Sequence, residues 1–182
     1  MKLQFIIIFI FGFAFSNSSA NTIKPIVTIN NSVITNYDLF LEIELFKLLK
    51  QIDVNKNIEN QILDNLINNK IKELELLNYK IDINEKILED KANELFKKNN
   101  NDELKSILLK QIIVDSKWNK LIFLKFKRKL EINIMEIEER HGKQLDYKRK
   151  NQLMEIEKNK KIQIISKTFF NEVKKKYYIK KY

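Results

Sequence analysis

The stretch IVTINNSVITNYDLFLEIELFKLL, residues 26–49, decides how the folded part of this chain begins. Its β-branched start predicts a short strand, and Asn30-Asn31 predicts a tight turn because asparagine tolerates a positive φ better than most residues. Thr35 then predicts a helix N-cap, since its hydroxyl can accept from the backbone N–H of Asp38 while the Asp38 carboxylate reaches back. We therefore expect a strand, a tight turn and a sharply started helix.

The composition favours long helices in a single domain. The 182 residues include only two glycines and one proline, so few positions break a helix, and 44% of the residues are hydrophobic, which argues against a disordered chain. There is no cysteine. Disulfides, thiolate zinc sites and cysteine nucleophiles are therefore excluded.

The formal net charge of +10 comes mainly from lysine. Asparagine and isoleucine are also abundant, and an AT-rich coding sequence produces the same bias. We therefore do not take the charge as evidence for nucleic-acid binding. It still implies attraction to acidic partners and to anionic membrane surfaces.

The start of the chain has the pattern of a secretory signal peptide over residues 1–20. Lys2 supplies a positive charge, residues 5–15 form an uncharged apolar run, and small residues precede a cleavage site after Ala20. The apolar run is shorter than the roughly 20 residues that span a bilayer. We expect export and cleavage after Ala20, with an uncleaved N-terminal anchor as the alternative.

Apolar residues at three- and four-residue spacing predict further helices. After the first helix we expect helices over residues 58–77, 84–98, 102–130 and 145–176, with Asn84 as the N-cap of the third. Residues 135–143 predict a short helix or a link. The predicted core face of the first helix consists of Leu39, Phe40, Ile43, Phe46 and Leu49. The predicted core side of the third helix consists of Ile87, Leu88, Leu95 and Phe96.

The end of the chain predicts a strand that pairs with its beginning. Tyr177-Tyr178-Ile179 is rich in residues that favour strands, and it can pair with residues 26–29. The predicted fold class is therefore all-α, with a small β pairing of the N- and C-terminal strands.

Four motifs follow one another along the predicted helices and strands. They are VITNYDL at 33–39, ILDNLINNK at 62–70, WNKLI at 118–122, and the stretch 164–178. In this order, behind a leader, they resemble the N-terminal domain of SurA-type periplasmic chaperones. The resemblance makes residues 21–134 a chaperone domain of this kind, and residues 135–182 the C-terminal helix and strand that complete the same module.

The chain departs from that family in what lies between the two parts. The family carries parvulin prolyl-isomerase domains at this point, whereas residues 131–161 are far too few for such a fold. Asn78-Tyr79 also stands where the family has a glycine. The resemblance therefore implies the chaperone module without the isomerase.

The resemblance implies an ATP-independent holdase in the periplasm, without enzymatic activity or a cofactor. Its partners would be unfolded outer-membrane proteins, which it would keep from aggregating and help to deliver, and the outer-membrane assembly machinery. The alternative is an exported helical adaptor or structural subunit that binds one fixed protein partner.

A chaperone of this kind leaves some apolar surface open for its clients. Our candidates for client binding are Phe46, Trp118, Phe123 and Phe126, although apolar stripes at helical spacing are more often ordinary core. Burial of one client side chain against such a surface is worth about 1.5–3 kcal/mol.

The remaining polar groups point to no reaction chemistry. His141 is the only histidine, and an exposed surface histidine is the simpler interpretation than a ligand. Glu73 and Glu75 are two residues apart and do not share a helix face, so we expect them to solvate the surface. The lysine- and tyrosine-rich tail, 174–182, is better explained by a helix end and an edge strand than by nucleic acid, since the leader predicts export. No metal and no nucleic-acid partner are expected.

Overall fold

The computed structural model describes residues 22–97, 100–142 and 146–182, so the predicted signal peptide, residues 1–20, lies outside the described residues. The fold is mainly helical with a small three-stranded antiparallel sheet, which confirms the predicted fold class. In chain order the elements are β1 (Pro25–Ile29), β2 (Ser32–Thr35), α1 (Asn36–Lys50), α2 (Lys56–Leu76), α3 (Glu85–Leu95), α4 (Asp102–Phe126), a 3₁₀ turn (Lys127–Leu130), α5 (Ile134–His141), α6 (Tyr147–Lys174) and β3 (Ile179–Lys181).

The small sheet joins the two ends of the described chain. Its strand order is β2-β1-β3, and both neighbours of β1 run antiparallel to it. Asn30 takes the turn between β1 and β2 with a φ of 49°. β3 pairs Ile179 with Ile29 and Lys181 with Val27. The predicted pairing of the chain ends is therefore confirmed, although the last strand begins two residues later than expected.

The first and third helices both begin after the predicted N-cap residue, but only the first has the side-chain cap. Thr35 Oγ1 accepts from the Asp38 N–H at 3.1 Å, and Asp38 Oδ2 accepts from the Thr35 N–H at 2.7 Å, so both halves of the capping box form. Asn84 precedes α3, but its side chain makes no capping hydrogen bond. The start of α3 is instead tied to α4 by an ion pair of 2.9 Å between Lys117 and Glu85.

The main core lies between the sheet and helices α2, α4 and α6. Trp118 of α4 is 1% exposed, and its ring stacks on Phe169 of α6 with 5.4 Å between the ring centroids. The indole Nε1 donates to Ser166 Oγ at 2.9 Å, so the polar atom of this buried side chain is satisfied. Because α6 supplies Phe169, the C-terminal segment and the N-terminal strands share one core.

A smaller core lies between α1, the end of α3, and the first half of α4. It consists of Leu41, Leu45, Phe96, Leu104 and Leu108. The predicted core face of α1 is therefore rotated, since Phe40 and Leu49 of that face are exposed. The reason is that α1 carries apolar residues on almost every side, so the spacing fits more than one face.

The core side of α3 also differs from the prediction. Phe96 is buried as expected, but Ile87 and Leu95 are exposed, and Ala92 is buried instead. α3 packs mainly on α4, so a narrow stripe is enough to hold it. Apolar residues beside that stripe remain in solvent.

Glu75 is buried in the fold, with 3% of its surface exposed, which corrects the expectation that it solvates the surface. Its Oε1 accepts from Lys176 Nζ at 3.1 Å and from the Tyr79 hydroxyl at 3.4 Å, and its Oε2 accepts from the Tyr177 hydroxyl at 3.2 Å. The tail of the chain folds over α2 and supplies two of these three donors. Spacing along α2 alone could not predict this, since two of the three partners, Lys176 and Tyr177, lie about a hundred residues away.

Candidate functional site

An open groove of about 630 Å³ runs between α1, α2, α4 and α6. We call it the amide groove because asparagine and glutamine side chains line it beside apolar ones. Its apolar lining consists of Leu45, Phe46, Leu49, Ile62, Leu66, Ile162 and Phe170. Its amides are Asn65, Asn68, Asn69, Gln111, Asn119 and Gln163.

The apolar lining of the amide groove rests on the main core. The ring of Phe170 meets Trp118 edge-on, with 5.9 Å between the ring centroids, while the neighbouring residue Phe169 lies inside the core. Leu45 belongs to the smaller core. Packed side chains of the two cores therefore support the apolar lining from behind.

Several of the groove's amides are unengaged. Gln111 donates to Glu42, and Asn68 accepts from Lys174 Nζ at 3.0 Å. Within the described part of the chain, the side chains of Asn65, Asn69, Asn119 and Gln163 have no hydrogen-bond partner. Each of these amides offers both a donor and an acceptor, as a peptide bond does. They can therefore bind the main chain of an extended peptide.

Charges of both signs also line the amide groove. Lys72 Nζ pairs with Asp115 at 2.8 Å across α2 and α4. Burial raises the pKa of the Glu42 carboxyl, the nearby Asp38 charge raises it further, and the hydrogen bond from Gln111 opposes both effects. Lys50 and Lys167 line the groove as exposed cations. The groove thus carries more free positive than free negative charge, which suits segments with acidic residues.

The four candidate client-binding residues fall in different places. Phe46 lines the amide groove and is half-buried. Phe126 is half-buried and packs edge-on against Phe169, with 5.5 Å between the ring centroids. Phe123 is 40% exposed and lines a shallow cavity of about 270 Å³ beside α6.

Trp118 offers no open surface, because it lies inside the main core. Its expected contact with clients is therefore corrected: the side chain packs the groove wall from behind. Of the four candidates, the structure brings only Phe46 into the amide groove, and whether it binds clients stays a prediction.

Sequence reasoning missed the amides that line the groove. Asn65, Asn68 and Asn69 are spaced three and four residues apart, so they share one face of α2 with Ile62 and Leu66. This mixed apolar and amide stripe was a readable signal. In a sequence so rich in asparagine it did not stand out as unusual.

A second groove, of about 570 Å³, lies between the end of α2 and the middle of α4. Its lining is more apolar, with Leu76, Tyr79, Ile81, Leu109 and Ile113 among its members. Leu77 at its edge is strongly exposed, while Lys110 and Lys117 lie at its polar rim. This groove has no counterpart to the amide row.

The residues that the structure describes hold no cluster of acidic, histidine or cysteine side chains suited to a metal ion. The side chain of His141, which we expect to be exposed, lies outside the described atoms. Within the described ranges, no helix combines the length and the apolar character needed to cross a membrane.

No protein-family model matches this chain, and no curated protein is significantly similar to it.

Proposed function

We propose that this chain is an ATP-independent periplasmic chaperone of the SurA type, without the isomerase domains. It would bind unfolded outer-membrane proteins as holdase clients and keep them from aggregating during delivery to the outer-membrane assembly machinery. Two observations support the proposal. The motifs and the predicted signal peptide resemble the SurA-type family, and the amide groove has a geometry that can hold an extended peptide.

The observation that carries the proposal is the mixed lining of the amide groove. Apolar side chains such as Phe46 and Leu66 can bury side chains of a client, while Asn69 and Asn119 can pair with its main chain. Main-chain recognition does not depend on client sequence. An open groove of this kind therefore suits many extended segments rather than one folded partner.

The expected affinity is modest, as a holdase requires. Each client side chain that the groove buries contributes about 1.5–3 kcal/mol. Association and the ordering of an extended segment cost at least about 4 kcal/mol. A segment with three buried side chains would thus bind reversibly, and it could leave when it folds elsewhere.

Aggregation of denatured β-barrel proteins tests the proposal. The chain from Asn21 onward, added in equimolar amount and without ATP, should slow light scattering by several unrelated barrels after dilution from urea. Phe46→Ser should weaken this protection several-fold, because it removes the aromatic side chain that α1 contributes to the groove.

Phe40→Ser is the matched control. It is the same substitution on the same helix, at an exposed residue that does not line the groove. We expect it to protect as well as the unmodified chain. An equal loss of protection in the two variants, or no protection of any barrel, would contradict the proposal. Prolyl-isomerase activity in a peptide assay would contradict the inference that the chain has no isomerase domain.

A second candidate function is an exported adaptor that binds one fixed partner. The second groove favours it, since the exposed Leu77 and the apolar Ile113 suit a preformed hydrophobic surface. Protection of a single protein that Leu77→Ser abolishes, with Phe46→Ser having no effect, would support the adaptor.

A further inference from the structure

One exposed face at the end of α4, continued by the 3₁₀ turn, combines apolar residues with cations, of which Lys120 donates to the backbone carbonyl of Asp82 at 2.5 Å. We call it the cationic face, and it consists of Lys120, Phe123, Leu124, Lys127 and Arg128. Lys120, Phe123 and Leu124 recur at intervals of three and four residues on α4, and Lys127 and Arg128 follow in the 3₁₀ turn directly after it. All five side chains are exposed, with Phe123 at 40% and Leu124 at 55%.

The positive charge of this face has little compensation nearby. Residues 116–130 include six lysines and arginines and no acidic residue. Among the residues that the structure describes, Lys127 and Arg128 have no carboxylate partner. Glu131 and Glu155 line the adjacent shallow cavity, but they are outnumbered by the cations around them.

Helix α6 adds a further cation to the edge of the cationic face. Lys158 Nζ lies over the ring of Phe123, 5.7 Å from the ring centroid, and it has no carboxylate partner among the described residues. Apolar and cationic side chains are thus interleaved, with Phe123 and Leu124 between Lys120, Lys127 and Lys158.

We propose that the cationic face binds the surface of an anionic lipid bilayer. Phe123 and Leu124 would enter the headgroup region, while Lys127, Arg128 and Lys158 contact lipid phosphates. Charge attraction to a lipid surface adds up over several cations, each worth roughly a fivefold gain in partitioning near such a surface.

The composition of the face favours a bilayer over an acidic protein. A stable protein interface buries about 800 Å² on each partner around an apolar centre. Two exposed apolar side chains are too few for such a centre. A laterally continuous anionic surface needs no shaped complement, so a few cations and two apolar side chains are enough.

The cationic face joins the amide groove at one end. Asn119 of the groove lies one helical turn before Phe123, and Ile162 of the groove lies one turn after Lys158. Binding to a bilayer would therefore bring the groove close to the lipid surface. The lipid contact itself does not depend on what the groove binds.

Vesicle co-sedimentation tests the proposal with the chain from Asn21 onward. Both cores and the sheet of the described residues lie after Asn21, so this form keeps the packing that the structure describes. It also lacks the apolar run of residues 5–15, which would itself bind lipid. We expect binding to vesicles of phosphatidylcholine with 30% phosphatidylglycerol, little binding to pure phosphatidylcholine, and weaker binding at high salt.

Lys127→Gln combined with Arg128→Gln should lower the partition coefficient about 25-fold, as two cations are lost. Leu124→Ser should lower it several-fold. Lys86→Gln combined with Lys91→Gln is the matched control, since it removes the same charge from exposed positions of α3. We expect the control to lower partitioning less than about threefold.

An equal loss of partitioning in the control variant would overturn the proposal, because it would mean that the net charge of the protein, and not this face, attracts it to the vesicles. Absence of binding to the anionic vesicles would overturn the proposal outright. So would binding of the protein to polyglutamate but to neither kind of vesicle. Circular dichroism of each variant separates these outcomes from unfolding.

Discussion

Helices α4 and α6 each lie between the closed main core and the open amide groove. On both helices, two residues that are neighbours in sequence face different sides, one the core and the other the groove. Trp118 is buried in the main core, whereas Asn119 lines the amide groove. Phe169 stacks on Trp118 inside the core, whereas Phe170 lines the groove. One residue is about 100° of helix rotation, so the same segment can both hold the fold together and offer a binding surface.

The core-facing and groove-facing sides of these helices differ in whether their polar groups have partners. On the core side polar atoms are paired, as with the Trp118 indole and Ser166. On the groove side Asn119 and Asn69 have no partner within the described residues. Substitutions of buried core residues should therefore change the free energy of unfolding, and those of the unpartnered groove amides should change it little.

The largest expected effect is that of Trp118→Ala. The change leaves a cavity in the main core and removes the indole hydrogen bond to Ser166, so we expect a loss of about 3–5 kcal/mol in the free energy of unfolding. Asn119→Ala, one residue later, should change it by less than about 0.5 kcal/mol. Urea unfolding followed by circular dichroism measures both, and similar losses would break the distinction between the two sides.

A smaller loss is expected for Glu75→Ala. The substitution leaves the Tyr79 and Tyr177 hydroxyls without their acceptor and removes the partner of Lys176, so we expect a loss of about 2–3 kcal/mol in the free energy of unfolding. Glu44→Ala removes a carboxylate from an exposed pair with Lys47, and it should cost less than about 1 kcal/mol.

Urea midpoints of the two glutamate variants make this comparison directly. If the loss in the free energy of unfolding for Glu75→Ala is no larger than that for Glu44→Ala, the buried carboxylate does not hold the tail on α2.

The smallest effect is expected at high pH, at Tyr177. Burial, together with the charge of Glu75 and the hydrogen bond donated to it, raises the pKa of Tyr177 to about 12. The fold thus favours the protonated phenol, so its contribution to stability is complete below pH 10 and is lost as the pH rises towards 12.

Tyr177→Phe has no phenol to titrate. The difference in thermal midpoint between the unmodified chain and this variant should therefore shrink as the pH rises above 10. Lysine titration is common to both proteins and cancels in the difference. A difference in thermal midpoint that stays constant up to pH 12 would refute the hydrogen bond of this hydroxyl with Glu75.

The local features near the start of the chain were predictable because nearby residues decide them. The capping box of Thr35 and Asp38 and the turn at Asn30 form within a few residues, so the sequence predicts them correctly. The faces of α1 and α3 were not predictable in the same way. Phe40 and Ile87 fit an apolar stripe by spacing, yet both are exposed, since no helix in the described part of the chain covers them.

The amide groove was only partly predictable. Phe46 was a candidate from the sequence and lies in the groove, whereas the candidate Trp118 lies behind its wall. An exposed aromatic residue and a core one have the same chemistry, so only the neighbours of each distinguish them. The asparagines of α2 were visible in the sequence, but nothing in it placed α6 opposite them.

The sequence by itself determined that the chain is mainly helical, where its first helix begins, and that its two ends pair in a small sheet. Those properties follow from few glycines and prolines, from a local cap and from strand-forming residues at both ends. Only the tertiary structure decided which apolar residues are buried, that Glu75 is covered by the tail, and that the amides face one groove. The physical reason is that burial depends on which distant segments meet, and residues like Glu75 and Lys176 interact only after the chain has folded.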